Sequence, residues 1–198
     1  VITQIAEKEN AEILVLANNN SGKALAPRLS VKLKAGVASG AISLPLNYEP
    51  FEIKKMTFTG KAETKIILKS PVKIITLSQN SFEIIESPTE INIENAQIEL
   101  SDSDFQIEVK DVQKVQGKII LTDAEIVVSG GRGMKGPEYW NNIEELAELL
   151  GAATACSRPV SDEGWRPHEE HTGQTGKIIA PNLYIACGIS GAIQHLAG

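Results

Sequence analysis

The sequence predicts an α/β fold, with a parallel sheet in the C-terminal part, preceded by a partial α/β domain that contains several mixed or antiparallel strands. Three observations predict it. A strand pattern, a turn and a helical pattern follow one another over residues 12–34. Short β-branched segments fill residues 41–110, and strands alternate with helices again after residue 121. The polar stretch 108–118 marks a boundary, so we predict two domains, residues 1–118 and 119–198.

The first domain begins with a strand, a turn and a helix. Residues 12–16 (EILVL) are an apolar run typical of a buried strand, and NNNSG at 18–22 is a turn cluster. A phosphate-binding P-loop would also need glycine at position 17 and serine or threonine at 24, where the chain has Ala17 and Ala24. The next segments are predicted strands: AISLPL, KKMTFTG, TKIILKS, VKIITLS, SFEIIES and INIENAQIEL.

In the second domain, predicted strands and helices alternate, which is typical of a parallel sheet. The segment DAEIVVSGG is typical of a strand that runs into a glycine turn, and the helical pattern after it lies between Pro137 and Gly151. AATAC is a second strand, 157–176 a loop, KIIAPNLYIACG a third strand, and Ser190 the expected N-cap of a closing helix. Ligands of such sheets bind at the carboxyl edge, where these loops gather.

Composition and charge exclude several classes of protein. The net charge is −6 and no apolar run approaches the length of a membrane span, so we predict neither nucleic-acid binding nor a membrane span. Cys156 and Cys187 fit buried thiols in a reducing compartment, which favours the bacterial cytoplasm, with the mitochondrial matrix as the alternative. Residues 121–198 hold five Lys/Arg against ten Asp/Glu, so the few cations there are of interest.

A glycine motif follows the first strand of the second domain. Gly131, Gly133 and Gly136 match G-x-G-x-x-G, in which glycines let the backbone approach a pyrophosphate. An NAD site also needs an acidic residue after the next strand, where this chain has Ser157 and Arg158. A simple tight turn and an NAD site both stay open, but we favour another phosphate-bearing ligand, with Arg132 as its cation.

Three further groups of polar side chains fall at predicted strand ends and loops. They are Ser157 with Arg158; Thr172, Gln174 and Thr175 on a glycine-flexed loop; and the stretch from Ser190 to His195. Their guanidinium, hydroxyl, amide and imidazole groups suit an anionic or polar ring. His168 and His171 flank two glutamates but have no fourth partner in view, so we predict no metal site, and no catalytic nucleophile or carboxylate pair appears.

The segments VVSGGRGMKG, ACSRPVSDEGW and TGQTGKIIAPNLYIACGISGAIQHLAG resemble the alpha subunit of electron transfer flavoprotein. The resemblance is strong over 121–198, weaker over 12–34 and faint over 40–110. It implies a Rossmann-like FAD-binding domain at 119–198 and these cofactor-binding residues: Arg132, Ser157, Arg158, Thr172, Gly173, Gln174, Thr175, Ser190, Gly191, Ala192, Ile193, Gln194 and His195. The family has valine at position 172. Members also extend beyond both ends of this chain, so we expect a fragment with a C-terminally truncated FAD-binding domain.

The resemblance also implies roles. Arg132 and the turn 190–194 would hold the pyrophosphate region, while Ser157, Arg158, Thr175 and His195 would face the isoalloxazine, Thr175 near N5 and His195 near the C2 carbonyl. The protein would be an electron carrier without substrate turnover. It would pair with a beta subunit and pass electrons from flavin dehydrogenases, as in fatty acid β-oxidation, to a quinone-linked oxidoreductase. The alternative is a nucleotide-binding or structural module that docks a partner without flavin.

Overall fold

The computed structural model describes residues 1–58, 60–111 and 119–198. The described residues fall into two compact units, 1–111 and 119–198. The predicted boundary stretch 108–118 lies largely outside the described residues, so the division at 118/119 stays a prediction. The mixed and parallel sheets described below confirm the predicted α/β class.

The first unit is a mixed sheet with helices. Its elements are α1 (Ile2–Lys8), β1 (Ile13–Ala17), α2 (Asn20–Leu33), β2 (Gly36–Ala41), β3 (Asn47–Tyr48), β4 (Phe51–Thr57), β5 (Ala62–Leu68) and β6 (Lys73–Leu77). The strand order is β1-β6-β2-β4-β3, with β5 paired to β4. The pairs β1–β6 and β2–β6 are parallel, whereas β4 is antiparallel to β2, β3 and β5.

Local sequence explains the strand, turn and helix at the start of this unit. The Asn19 side chain caps α2 by accepting a hydrogen bond from the Gly22 backbone N–H at 2.9 Å. Behind the cap, Ala26 and Leu29 are buried against the sheet in a cluster that includes Leu14 and Ile74. A capped start and one apolar face therefore produce the predicted helix.

The predicted strands SFEIIES and INIENAQIEL do not form. Among the described residues, 81–111 contain one short 3₁₀ turn, Asp102–Phe105, and no strand. The side chains of Ile84 and Ile91 are 88% and 84% exposed. An alternating pattern becomes a strand only where a neighbour accepts its backbone hydrogen bonds and a core receives one face, and this segment has neither within its unit.

The second unit is a three-stranded parallel sheet with short helices. Its elements are β7 (Ile126–Gly130), α3 (Asn141–Leu150), β8 (Ala153–Cys156), α4 (Arg158–Asp162), β9 (Leu183–Cys187) and α5 (Ile193–Leu196). The order β8-β7-β9, with both pairs parallel, confirms the predicted parallel sheet. One 3₁₀ turn, Leu121–Asp123, precedes β7, and three lie between these elements: Arg132–Met134, Pro137–Tyr139 and His168–Glu170.

The carboxyl ends of the three strands are in register. Gly130 at the end of β7 pairs with Cys156 on one side and with Cys187 on the other. Below this edge, Val128 is buried with Trp140 and Ile143, which hold α3 against the sheet. The packed sheet therefore presents three consecutive loops at one rim.

In the described part of the chain, no helix combines the length and apolar content that crossing a membrane requires.

Candidate cofactor site

Backbone hydrogen bonds join the loops at the rim of the second sheet. The Gly131 N–H donates to the Cys187 carbonyl at 2.8 Å, and the Ser157 N–H donates to the Gly130 carbonyl at 3.0 Å. The Thr172 N–H donates to the Cys156 carbonyl at 3.0 Å. Hydrogen bonds between main-chain atoms thus hold the starts of these loops at the rim.

The glycine motif brings two backbones together. The Gly133 N–H donates to the Gly188 carbonyl at 2.9 Å. A Cβ at position 133 would lie 2.7 Å from the Gly188 Cα, closer than real side chains come. Glycine at 133 is therefore required for the turn to pack against the loop after β9.

A cavity of about 700 Å³ lies at this rim, within the range of ordinary ligand sites. It is lined by Arg132, Gly133, Ser157, Arg158, Pro159, His171, Thr172, Gln174, Thr175, Gly188, Ile189, Ser190, Ala192, Gln194 and His195. The structure thus brings the four predicted groups of polar side chains into one cavity. Of the predicted site residues, Gly173, Gly191 and Ile193 are the ones that do not line it.

Each of these three residues is the sequence neighbour of two lining residues. Gly173 has a positive φ of 137°, and a Cβ there would lie 2.9 Å from the Gln194 carbonyl. That space lets the Gln174 N–H donate to the same carbonyl at 2.7 Å. Gly191 also has a positive φ, 74°, and Ile193 is the first residue of α5.

The predicted N-cap is wrong. The helix α5 begins at Ile193, its N-cap position is Ala192, and Ser190 lines the cavity instead. The left-handed backbone at Gly191 turns the chain between Ser190 and the helix.

Sequence reasoning missed five lining residues. Gly188 and Ile189 follow β9 directly, so the strand-end argument that selected Ser157 could also have selected them. Gly133 belongs to the glycine motif, which does not single it out as a ligand contact, and Pro159 carries no polar side chain. The two glutamates before His171 suggest a metal ligand rather than a contact of this kind, although His171 immediately precedes the predicted Thr172.

Two arginines supply positive charge at the cavity. Arg132 lies 3.8 Å from a Glu163 carboxylate oxygen, and Arg158 lies 3.3 Å from an Asp162 oxygen. The side chains of Arg132 and Arg158 are 70% and 62% exposed. Exposed pairs of this kind contribute little, about 0–1 kcal/mol, so either arginine can exchange its carboxylate for an anionic ligand at small cost.

Two imidazoles lie at the cavity wall. His195 Nε2 is 2.6 Å from the Tyr184 hydroxyl. The Nδ1 atoms of His171 and His195 are buried without a hydrogen bond of normal geometry to any described residue. Burial lowers the pKa of both histidines, so both are neutral at physiological pH.

The cavity suits a ligand that combines phosphates with a polar ring. Arginines and backbone close to glycine fit the phosphates, while hydroxyl, amide and neutral imidazole groups fit the ring edge. Ser157 and Arg158 follow β8 where an NAD site would have an acidic residue for the ribose. A flavin dinucleotide such as FAD fits this set of residues better than NAD does.

Metal and thiol chemistry have little support in the described part of the chain. It holds no group of three or more His, Cys, Asp or Glu side chains placed to bind a metal ion. Beside His171, Glu170 accepts hydrogen bonds from two of the three Arg166 side-chain nitrogens, Nε at 2.8 Å and Nη2 at 2.7 Å. Burial raises the pKa of the Cys156 thiol to about 12, so this thiol is not a nucleophile at neutral pH.

Two family models match the chain. Residues 120–198 match the electron transfer flavoprotein FAD-binding domain, and residues 1–103 match the electron transfer flavoprotein domain. Together they span both units described above.

Curated relatives agree with the family models. The chain is similar to electron transfer flavoprotein subunit alpha of Bacillus subtilis strain 168 (36% identity over 199 residues) and of Syntrophomonas wolfei (38% over 192 residues). These matches cover 100% and 96% of this chain but 61% and 60% of the relatives, so the chain spans about three fifths of their length. From the family models and these relatives together, the chain belongs to the alpha subunits of the electron transfer flavoprotein family, with the FAD-binding domain at residues 120–198.

Proposed function

We propose that residues 119–198 of this chain bind FAD in the cavity at the carboxyl edge of the parallel sheet. One observation supports the proposal most directly. The polar and cationic side chains of four separate loops line a single cavity inside the segment that matches the FAD-binding domain. A dinucleotide is long enough to contact all four loops.

The family resemblance implies how the ligand lies. Arg132 and the turn 190–194 would hold the pyrophosphate region. Ser157, Arg158, Thr175 and His195, which all line the cavity, would face the isoalloxazine ring.

When bound, FAD supplies the capacity to accept electrons and pass them on. The residues of this chain contribute binding and electrostatics. The Arg158 guanidinium stabilises negative charge on the ring, and the Thr175 hydroxyl offers a hydrogen-bond donor. The neutral His195 adds a polar group without a second full charge. We assign no catalytic residue.

On this basis the chain is part of an electron carrier rather than an enzyme with its own substrate. It would act as a heterodimer with a beta subunit, accept electrons from flavin dehydrogenases such as acyl-CoA dehydrogenases and deliver them to a quinone-linked oxidoreductase of the respiratory chain. The relatives named electron transfer flavoprotein subunit alpha support this assignment, and their bacterial sources favour the bacterial cytoplasm.

The test is a titration of the full chain with FAD, followed by the visible flavin absorption of the complex. Arg132→Gln should weaken FAD binding about 10- to 150-fold, because a charge-assisted hydrogen bond contributes roughly 1.5–3 kcal/mol. Lys135→Gln is the matched control, since Lys135 belongs to the same turn but does not line the cavity, and it should leave the affinity unchanged. NAD should not displace FAD.

A chain that is folded but binds no FAD, either alone or with a beta subunit, would overturn the proposal. That result would favour the alternative, a structural or nucleotide-binding module that docks a partner without flavin. If Arg132→Gln and Lys135→Gln instead weaken FAD binding equally, Arg132 is not a specific phosphate contact.

A further inference from the structure

Two consecutive acidic residues at the end of α4 pair with the two arginines of the cavity lining. Asp162 is the last residue of α4, and its carboxylate lies 3.3 Å from Arg158 Nε. Glu163 is the C-cap residue of the same helix, and its carboxylate lies 3.8 Å from Arg132 Nη1. Neither acidic residue is among those that line the cavity, whereas both arginines are. The arginines that would meet an anionic ligand are therefore already paired with carboxylates of the chain.

The contact between Arg132 and Glu163 is an electrostatic attraction without a hydrogen bond. A separation of 3.8 Å is too long for an N–H to donate to a carboxylate oxygen, and both side chains are exposed. By contrast, Arg166 donates to Glu170 through two nitrogens and is largely buried. Glu163 therefore places an opposite charge beside Arg132 but does not fix the orientation of its guanidinium group.

An opposite charge beside Arg132 weakens the attraction between this arginine and an anionic ligand. If a phosphate of the ligand displaces the carboxylate, the attraction within the ion pair is lost. If the carboxylate stays, it partly neutralises the guanidinium group and repels the phosphate. Both effects lower the affinity for a ligand with phosphates, and neither acts on a ligand without charge.

We propose that Glu163 is a specificity-determining residue of the cavity, a counter-ion that competes with the phosphates of the ligand for Arg132. The inference rests on the proposed function, in which Arg132 holds the pyrophosphate. A small anion such as free pyrophosphate depends mainly on this cation, whereas a dinucleotide also contacts the other loops. The counter-ion lowers the affinity of both ligands, but only the dinucleotide keeps enough other contacts to remain bound.

Titrations of the full chain with FAD and with riboflavin measure the effect. Glu163→Gln removes the charge and keeps the size of the side chain. It should tighten FAD binding about two- to five-fold, because an exposed ion pair contributes at most about that much. The affinity for riboflavin, a flavin without phosphate, should not rise in this variant.

Combination with Arg132→Gln shows whether the carboxylate acts through the arginine. In the Arg132→Gln background, Glu163→Gln should no longer change the affinity for FAD, since its partner is gone. Asp162→Asn is the matched control, because it removes the same charge from the neighbouring residue, whose partner is Arg158. Any effect of Asp162→Asn should be equal with and without Arg132.

Three results of these titrations overturn the proposal. Weaker FAD binding by Glu163→Gln would show that Glu163 positions Arg132 for the ligand instead of competing with it. An equal gain in affinity with and without Arg132 would show that the charge of Glu163 acts on the ligand without the arginine. An equal gain for FAD and riboflavin would show that phosphates are not involved.

Inorganic pyrophosphate separates this inference from the proposed function. The Nε–H signal of Arg132 in ¹H–¹⁵N NMR, identified among the four arginines with Arg132→Gln, reports binding of this anion without flavin. Glu163→Gln should tighten pyrophosphate binding about two- to five-fold. If it does so but the wild type binds no FAD, the counter-ion role stands and the proposed function fails. If FAD binds and Glu163→Gln changes neither affinity, the counter-ion role fails alone, and if neither ligand binds, both fail.

Discussion

At the scale of single residues, the imidazoles of the cavity wall link stability to pH. Burial lowers the pKa of His171, with smaller contributions from the charges of His168 and Arg158, and burial also lowers the pKa of His195. An unfolded histidine titrates at about 6.5, so the unfolded state takes up these two protons before the folded state does. Stability conferred by the neutral rings is therefore complete above that pH and is lost progressively below it.

We predict that the free energy of unfolding of the second unit falls as the pH drops from about 6.5 through the lowered pKa values. Tryptophan fluorescence in urea measures it, because both tryptophans, Trp140 and Trp165, belong to this unit. His195→Gln should flatten the slope. His168→Gln is a control at an exposed position. Most of the pH dependence should persist in this variant, because burial lowers the pKa of His171 more than the charge of His168 does. A flat profile for the wild type between pH 7 and about pH 5 would contradict the prediction.

Much of the residue-level arrangement could be predicted from strand ends. Arg132 and Ser157 each follow an apolar run closely, and side chains in such positions meet at one edge of a parallel sheet. Tyr184 could not be found this way, because it lies inside β9, where an aromatic residue looks like core. Its hydroxyl contacts His195, eleven residues further on, and contacts of that kind depend on the folded loop.

At the scale of elements, Arg166 fastens the loop after α4 to α3. Its guanidinium holds Glu170 through two nitrogens and lies 2.8 Å from a Glu144 oxygen on α3. It also lies 5.5 Å from the centre of the Trp140 ring. The side chains of Arg166 and Glu170 are only 16% and 11% exposed, so solvent screens this pair weakly.

We predict that Arg166→Met destabilises the second unit by about 3 kcal/mol, because it leaves the nearly buried Glu170 carboxyl group without its arginine partner. The control is Arg158→Met, which removes a pair of the same i, i+4 spacing whose two side chains are each 62% exposed. The control should cost about 0.5 kcal/mol or less. Urea unfolding followed by tryptophan fluorescence measures both, and equal losses would show that the Arg166 contacts add nothing beyond a surface pair.

Helices that pack on a core and strands that have a paired neighbour were predictable, as β4, β5 and β6 show, whereas the strands predicted in 81–111 were wrong. The helix α3 has Pro137 before it and Gly151 after it, and its apolar face packs on β7. The segment 81–111 has an equally regular pattern but no strand beside it. The periodicity of a segment predicts which of its faces could be buried, but it does not predict whether another element packs against that face.

At the scale of the whole chain, each unit has its own buried clusters. In the first unit, Ile53 is buried with Phe51, Leu68 and Ile75. In the second, the cluster around Val128 consists of residues from its own strands, helices and loops. Each cluster is therefore completed within one unit.

We predict that Ile53→Ala costs the first unit about 2–5 kcal/mol through the cavity it leaves. Circular dichroism should show the loss in the transition of the first unit, while the tryptophan transition of the second unit should keep its midpoint. Val128→Ala is the matched counterpart, and it should move the tryptophan transition. A shift of that transition in Ile53→Ala would show that the two units unfold together.

The aligned ends of β7, β8 and β9 have a practical consequence. Neighbouring strands lie about 4.8 Å apart, so the sheet itself sets the spacing at which Gly131, Ser157 and Gly188 leave it. Main-chain hydrogen bonds at Gly130, Cys156 and Cys187 hold that spacing. Side chains further along each loop can therefore be substituted while the positions of the strand ends are retained. Side chains of this rim can thus be varied to suit another cofactor, provided that Gly133, whose backbone packs against Gly188, is kept.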